Sequence, residues 1–176
     1  GQTVVQTMYK EGGNKSSTQT QMMGMTVGDQ RYNNGQVLMM QQGKKMATDD
    51  EMVARMKKQA VLFATVALID KVDMISISGT ETINGKKAII LDLKTESGEG
   101  EAQMYFDQES KLLVRRVKKQ GSTTSIVDYS DYREVNGVMI PYEMTVTGAM
   151  PFTLKFATKE MELNADIDQS LFEIEE

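Results

Sequence analysis

The sequence predicts a mainly β, antiparallel meander interrupted by one helix, and three observations carry that prediction. Asn34-Gly35, Asn84-Gly85 and Asn136-Gly137 each lie between candidate strands, and Asn-Gly supplies the two positive-φ residues of a type I′ hairpin turn. The segments between the turns alternate. After the third turn Val138, Ile140, Tyr142, Met144 and Val146 share one face, opposite Met139, Pro141, Glu143 and Thr145, which is the period of a strand with one buried side. Short polar turns join most of the segments, so consecutive strands pair antiparallel.

Taken in order, the strands are expected at 3–10, 17–27, 29–33 and 36–42, the first two joined by the polar turn from Glu11 to Ser17. Thr48-Asp49-Asp50-Glu51 then reads as a capping box, with Thr48 as N-cap and acids where the helix dipole favours negative charge. Met52, Met56, Ala60, Phe63 and Ala67 follow at helical spacing, and from Ala60 to Ile69 the chain is apolar on every side, so this helix is expected to be buried. It is placed to lie across a sheet as a plug or lid, or to pack as ordinary core. Further strands are expected at 73–83, 87–96, 101–107, 112–120, 123–133, 138–148 and 152–163, with a mobile polar turn over Glu96–Gly100. Pro141 marks an edge position or a bulge, because it cannot donate to a ladder. In the last strand Phe152, Leu154 and Phe156 point one way while Met161 and Leu163 have the opposite parity, which predicts a bulge near Ala157 to Lys159. A short helix or turn near Asp168 to Phe172 closes the chain.

Composition narrows the function. The 176 residues, 40% apolar and 26% charged, form a single globular domain spanning 1–176. With no Cys and no His the chain cannot build thiolate or imidazole zinc sites, Cys nucleophiles or His-based triads. A formal charge of −5 argues against nucleic acid, which needs a basic face. The longest apolar run, Ala60 to Ile69, is about half the ~20 residues of a membrane-spanning helix. The start at Gly1-Gln2-Thr3 without Met is read as a chain whose signal or anchor segment has been removed.

Methionine is the compositional anomaly. There are 15, with Met22, Met23, Met25, Met39, Met40, Met52 and Met56 around the early strands and the helix, and flexible thioethers suit either a variable apolar ligand or a gap-filling core. Carboxylates are the main route left to acid–base catalysis. The pairs Asp49/Asp50, Glu99/Glu101 and Asp128/Asp131 read as capping or solvated loop acids, and no Ser-x-x-Lys or Gly-x-Ser-x-Gly pattern organises a nucleophile. Asp128, Ser130 and Asp131 could offer oxygens to calcium but lack the spacing of a recognised loop. The basic cluster Arg115-Arg116-Val117-Lys118-Lys119 reads as a charged strand end protecting a sheet edge, or as a contact for an anionic headgroup or acidic partner. No catalytic residue, metal site or cofactor is expected, and the protein is read as a non-enzyme.

From Gly79 onward a series of short motifs resembles bacterial envelope domains of the LolA/LolB-like lipoprotein-carrier kind, found also behind insulinase-type peptidases. The motifs are Gly79-Thr80-Glu81-Thr82-Ile83-Asn84-Gly85-Lys86, then Tyr105-Phe106-Asp107 leading into Lys111-Leu112-Leu113-Val114, then Asp131 through Tyr142, and Glu162-Leu163-Asn164 through Leu171-Phe172. Lys111 departs from the pattern, standing where the family turn has glycine. The resemblance implies a strongly curved antiparallel sheet, an incomplete β-barrel, with a helix or helices covering its concave face. It also implies a location in the periplasm or at the outer membrane, and a partner that is a lipid, an acyl chain or an envelope protein. Combined with the apolar pattern, it nominates Met22, Met39, Met56, Phe63, Met104, Phe106, Met144, Phe152 and Phe156 as the lining of an apolar ligand site. The alternative is an interaction or structural module with a filled core.

Overall fold

A computed structural model describes residues 3–63, 66–94 and 101–174, and the chain divides into two compact units, Gly1–Leu68 with Asp166–Glu176, and Ile69–Ala165.

The first unit is built on a five-stranded antiparallel sheet in sequential order: β1 (Val4–Glu11), β2 (Lys15–Met22), β3 (Met25–Asn33), β4 (Gln36–Gln41) and β5 (Lys44–Lys45). The turn at Asn34-Gly35 has φ of 48° and 97°, the left-handed pair that a tight hairpin requires. A second such pair at Met23-Gly24, with φ of 52° and 80°, divides what the sequence reading took as one strand over 17–27. Methionine is an unusual residue for that position, and only the following glycine signals the turn.

Helix α1 (Asp50–Ala60) lies on one face of this sheet. Its N-cap is Asp49 rather than Thr48: the Asp49 carboxylate accepts from the Met52 amide at 2.8 Å, satisfying one of the orphan donors of the first turn. Met56 and Ala60 are buried against Tyr32, with Val37, Met39, Met52 and Val53 around them. The register pairs Tyr32 with Val37 and Gln30 with Met39, so the residues under the helix occupy one side of the sheet. Lys10, on the same side through its pairing with Ser16, donates to the Val61 carbonyl at 3.3 Å. That places a cation at the helix C-terminus, where the dipole favours it, although burial pulls the Lys10 pKa down.

The helix stops at Ala60 instead of continuing to Ile69. Val61 is extended, a 3-10 helix covers Val66–Met74, and Leu62, Phe63, Val66 and Ile69 are 48%, 37%, 57% and 68% exposed. Up to Ala60 the helix has a polar side carrying Lys57 and Lys58. Beyond it every side is apolar, and one sheet face cannot cover a helix all round.

The opposite face of the same sheet receives the C-terminal 3-10 turn Gln169–Phe172, capped by Asp168, as the sequence predicted. Phe172 is 1% exposed. Arg31 donates to the Glu173 carbonyl at 2.9 Å and Asn33 to the Phe172 carbonyl at 3.2 Å. The Lys15 ammonium sits 5.7 Å above the Phe172 ring.

The second unit is a seven-stranded antiparallel sheet, again sequential: β6 (Ile75–Ile83), β7 (Lys86–Lys94), β8 (Glu101–Asp107), β9 (Leu113–Gln120), β10 (Thr123–Val135), β11 (Val138–Thr147) and β12 (Leu154–Ala157). Asn84-Gly85 and Asn136-Gly137 form the expected left-handed turns. Pro141 pairs with Tyr132 where β12, which spans only Leu154–Ala157, no longer flanks β11, so it occupies an edge position. No bulged strand runs to residue 163: β12 ends at Ala157, and the Thr158 amide closes the pairing by donating to the Tyr142 carbonyl at 2.7 Å. The polar turn expected at 96–100, with Glu99, lies outside the described residues.

The meander and its antiparallel pairing hold, but the strongly curved sheet of an incomplete barrel does not. Among the described residues the strands form two separate open sheets, with no ladder joining β5 to β6, and neither sheet closes on itself. Helix α1 covers a face of the five-stranded sheet, not the concave side of one continuous curved sheet. β5 has two residues and is followed by a helix, so the ladder ends there.

Candidate functional site

The register of the seven-stranded sheet places one row of side chains across every strand: Ile77, Leu91, Met104, Arg116, Val127, Val146 and Leu154 are successive cross-strand partners. Directly paired residues share a face, so this is a continuous apolar stripe with one guanidinium in it. The adjacent row reinforces it, with Ile89 and Phe106 towards one edge of the sheet and Tyr129, Met144 and Phe156 towards the other. Shielding is greatest in the middle, where Met104 is 4% exposed, and least at the margins, with Ile77 at 74% and Phe156 at 38%.

The other face of the sheet is different chemistry. Asp92 accepts from Gln103 and Ser78, both at 2.9 Å, and Arg115 forks onto Asp128 at 2.5 and 3.1 Å, which raises the Arg115 pKa. Ser130 donates to Glu143 at 3.2 Å. Between these polar pairs lies a small cluster of Ile83, Ala88 and Tyr105 with Ile90, Val114 and Val117.

Of the nine residues nominated from sequence, Met104, Phe106, Met144 and Phe156 fall on the apolar face of this sheet. Phe152 precedes β12 and is 57% exposed. Met39 and Met56 belong to the helix–sheet core of the first unit, Met22 ends β2, and Phe63 follows α1 at 37% exposure. Leu91, Val127, Val146 and Leu154 share this face without having been nominated, although the alternation that joins Val146 to Met144 and Leu154 to Phe156, and that of Ile89, Leu91 and Leu93 after Asn84-Gly85, carries a signal for three of them.

Of the two readings of the basic cluster, a strand end protecting a sheet edge and a contact for an anionic headgroup or acidic partner, the edge does not hold, because β9 runs between β8 and β10. Arg115 and Arg116 therefore face opposite sides of an interior strand. Arg115 finds Asp128, whereas the Nε of Arg116 is buried with no hydrogen-bond partner. Burial pushes the Tyr129 phenol upward, with the Arg116 charge pulling the other way.

Several of the remaining polar candidates are already engaged. Asp49 caps α1. Asp128, Ser130 and Asp131, weighed as calcium oxygens, are bound to Arg115, Glu143 and Arg133. The buried Asp107 accepts from the Ser110 amide and hydroxyl, both at 2.7 Å, bonds that hold its carboxyl below the usual range. A depression of about 470 Å³ beside it is lined by Gly85, Lys86, Lys87, Asp107, Gln108 and Glu109, a polar wall unsuited to an apolar ligand. No group of three or more acidic residues among the described residues could hold a metal ion, and no helix there is long and apolar enough to cross a membrane.

No family model matches the sequence, and no curated protein does. Solved structures do resemble it. A putative outer membrane lipoprotein-sorting protein domain from Vibrio parahaemolyticus aligns with a TM-score of 0.63 at 8% identity, over 96% of this chain and 81% of that one. A LolA superfamily protein from Nitrosomonas europaea gives 0.63 at 10% identity, over 96% and 80%. A DUF1329 family protein from Desulfovibrio piger gives 0.61 at 12%, over 97% and 80%. Nothing in these likenesses narrows the resemblance to an insulinase-linked subtype. At such identities the shared property is architecture: the fold resembles that of LolA-superfamily domains.

Proposed function

We propose that the chain is a non-catalytic envelope domain, acting in the periplasm or at the outer membrane, whose seven-stranded sheet holds an acyl chain or similar hydrophobic ligand on its apolar face. The observation that carries this reading is the cross-strand row from Ile77 to Leu154, apolar except for Arg116 and flanked by Phe106, Met144 and Phe156. The structural likeness to a putative lipoprotein-sorting domain supports it, and because that likeness spans 96% of the chain we treat 1–176 as one domain.

Burial contributes about 0.8 kcal/mol per methylene. Some ten buried methylenes then give about 8 kcal/mol before ordering costs, equivalent to roughly micromolar affinity at best. Met144 and Phe156 are direct cross-strand partners, so Met144→Lys with Phe156→Lys sets two ammonium groups side by side on the lining. The folded double variant is expected to lose acyl-chain retention in native mass spectrometry. Unchanged retention would remove this face as the site.

A second reading, a protein-interaction module, draws on the hairpin tip of the first unit, where Met23 and Met25 are 90% and 65% exposed. Large apolar groups held in water are a common mark of docking. It expects an empty sheet face and a saturable protein partner.

A further inference from the structure

Resting on the reading that the apolar face holds an amphiphile, we propose that Arg116 receives that ligand's anionic head, so that the site selects an acyl chain ending in a carboxylate or phosphate over a neutral lipid. Among the described arginines, Arg31, Arg115 and Arg133 are each ion-paired, with Asp29, Asp128 and Asp131, and Arg55 donates to the Met52 sulfur. With the described residues Arg116 makes no hydrogen bond or ion pair, and its Nε is shielded from water.

The register explains why no internal partner reaches it. Arg116 is opposite Met104 on one side and Val127 on the other, while Asp128 in the adjacent β10, and Asp92 in β7 and Glu143 in β11 one strand further out, all lie on the reverse face. Arginine does not shed its proton at accessible pH, so the charge persists, and a half-buried guanidinium whose Nε is shielded from water with no hydrogen-bond partner gains from a counter-ion that supplies one. A carboxylate or phosphate matches its fork of donors in a bidentate pair. Lys118, the next residue of β9 on the same face, adds positive charge on the exposed side. An amphiphile with its tail along the row and its head at Arg116 satisfies both the apolar stripe and the unpaired cation.

The test compares ligands of one chain length. The delipidated 176-residue chain is titrated with laurate, dodecyl phosphate and methyl laurate, for the wild type, Arg116→Gln and Arg116→Lys. The expected result is at least tenfold tighter binding of an anionic ligand than of the ester by the wild type. That preference is lost in Arg116→Gln with ester binding unchanged, and is partly restored in Arg116→Lys. The tighter of laurate and dodecyl phosphate identifies the head chemistry. Equal binding of acid and ester by the wild type would overturn the role of Arg116 while leaving the apolar site standing, and no binding of any of the three would overturn both. Thermal unfolding supplies an independent check. Arg116→Leu is expected to melt at or above the wild-type temperature, because an unpaired charge is replaced by an apolar group, and a fall of several degrees would show that Arg116 has a structural partner and overturn the proposal.

Discussion

Phe172→Ala should be among the most damaging single substitutions in the first unit. The ring is 1% exposed and comes from a four-residue 3-10 turn that has little stability of its own, so its burial is what docks the C-terminal segment on β2 and β3. A buried Phe removes about 150–250 Å² from water, worth about 4–6 kcal/mol at ~25 cal/mol per Å², an upper estimate because the unfolded chain already buries some of it. Cores that lose a Phe to Ala typically give up about 3–5 kcal/mol, and the cation–π contact with Lys15 adds about 0.5–1 kcal/mol. A loss of ~4 kcal/mol is a third or more of a typical domain's stability. In urea, with a slope near ~2 kcal/mol/M, the midpoint should fall by about 2 M with the slope unchanged. Phe152→Ala, at 57% exposure, is the control and should stay within about 0.5 kcal/mol of wild type. A midpoint shift below about 0.5 M for Phe172→Ala would refute the argument that this ring anchors the segment.

Two further predictions concern the second sheet. The Tyr132 hydroxyl donates to the Leu113 carbonyl at 2.5 Å, and burial, with Tyr129 nearby, pushes its pKa up to about 12. Because the folded state favours the neutral phenol over an unfolded value of ~10, that stability is fully present below pH ~10 and is lost as pH rises through about 12. An ultraviolet titration should show a late-ionising tyrosine that Tyr132→Phe removes, and uniform titration near ~10 would contradict the assignment. Gly148 has φ +80°, and a Cβ there would lie 2.1 Å from the Thr124 carbonyl oxygen. Gly13, at φ +74°, has open space. Gly13→Ala should cost about 1–2 kcal/mol from backbone strain alone, and Gly148→Ala clearly more, by the ~1–3 kcal/mol of overpacking. Equal losses in urea melts would show that the clash relaxes freely.

Much of the local structure was legible in the sequence because it is locally determined. Asn-Gly turns demand positive φ at two adjacent residues, and Val138 to Val146 alternate too regularly to be anything but a half-buried strand. Asp168 before a short apolar turn marked the closing segment. The break into two sheets was not legible, since whether β5 and β6 pair depends on non-local hydrogen bonding that no short window records. Helix length failed at Ala60 because periodicity cannot say how much sheet is available to cover an apolar segment. Of the residues nominated for an apolar lining, Met104, Phe106, Met144 and Phe156 share one face of the second sheet, whereas Met39 and Met56 are equally apolar and serve the helix–sheet core, a difference that depends on cross-strand register and not on residue type. Exposed Met23 shows the limit of composition, for a thioether at a turn is neither core nor ligand site by residue type alone. The basic cluster was legible as a possible anion contact, but not which arginine stands apart, because that depends on the residues beside Arg115 and Arg116 on neighbouring strands.

If the apolar face of the seven-stranded sheet holds a hydrophobic ligand, the purified protein should carry one. The most direct measurement is native mass spectrometry of the protein purified without detergent, with organic extraction and lipid analysis of the same sample. The expected result is a stoichiometric adduct that is released on denaturation, carries an acyl chain, and is absent from the Met144→Lys, Phe156→Lys variant. An adduct-free protein that also fails to take up added acyl chains at tens of micromolar would contradict it.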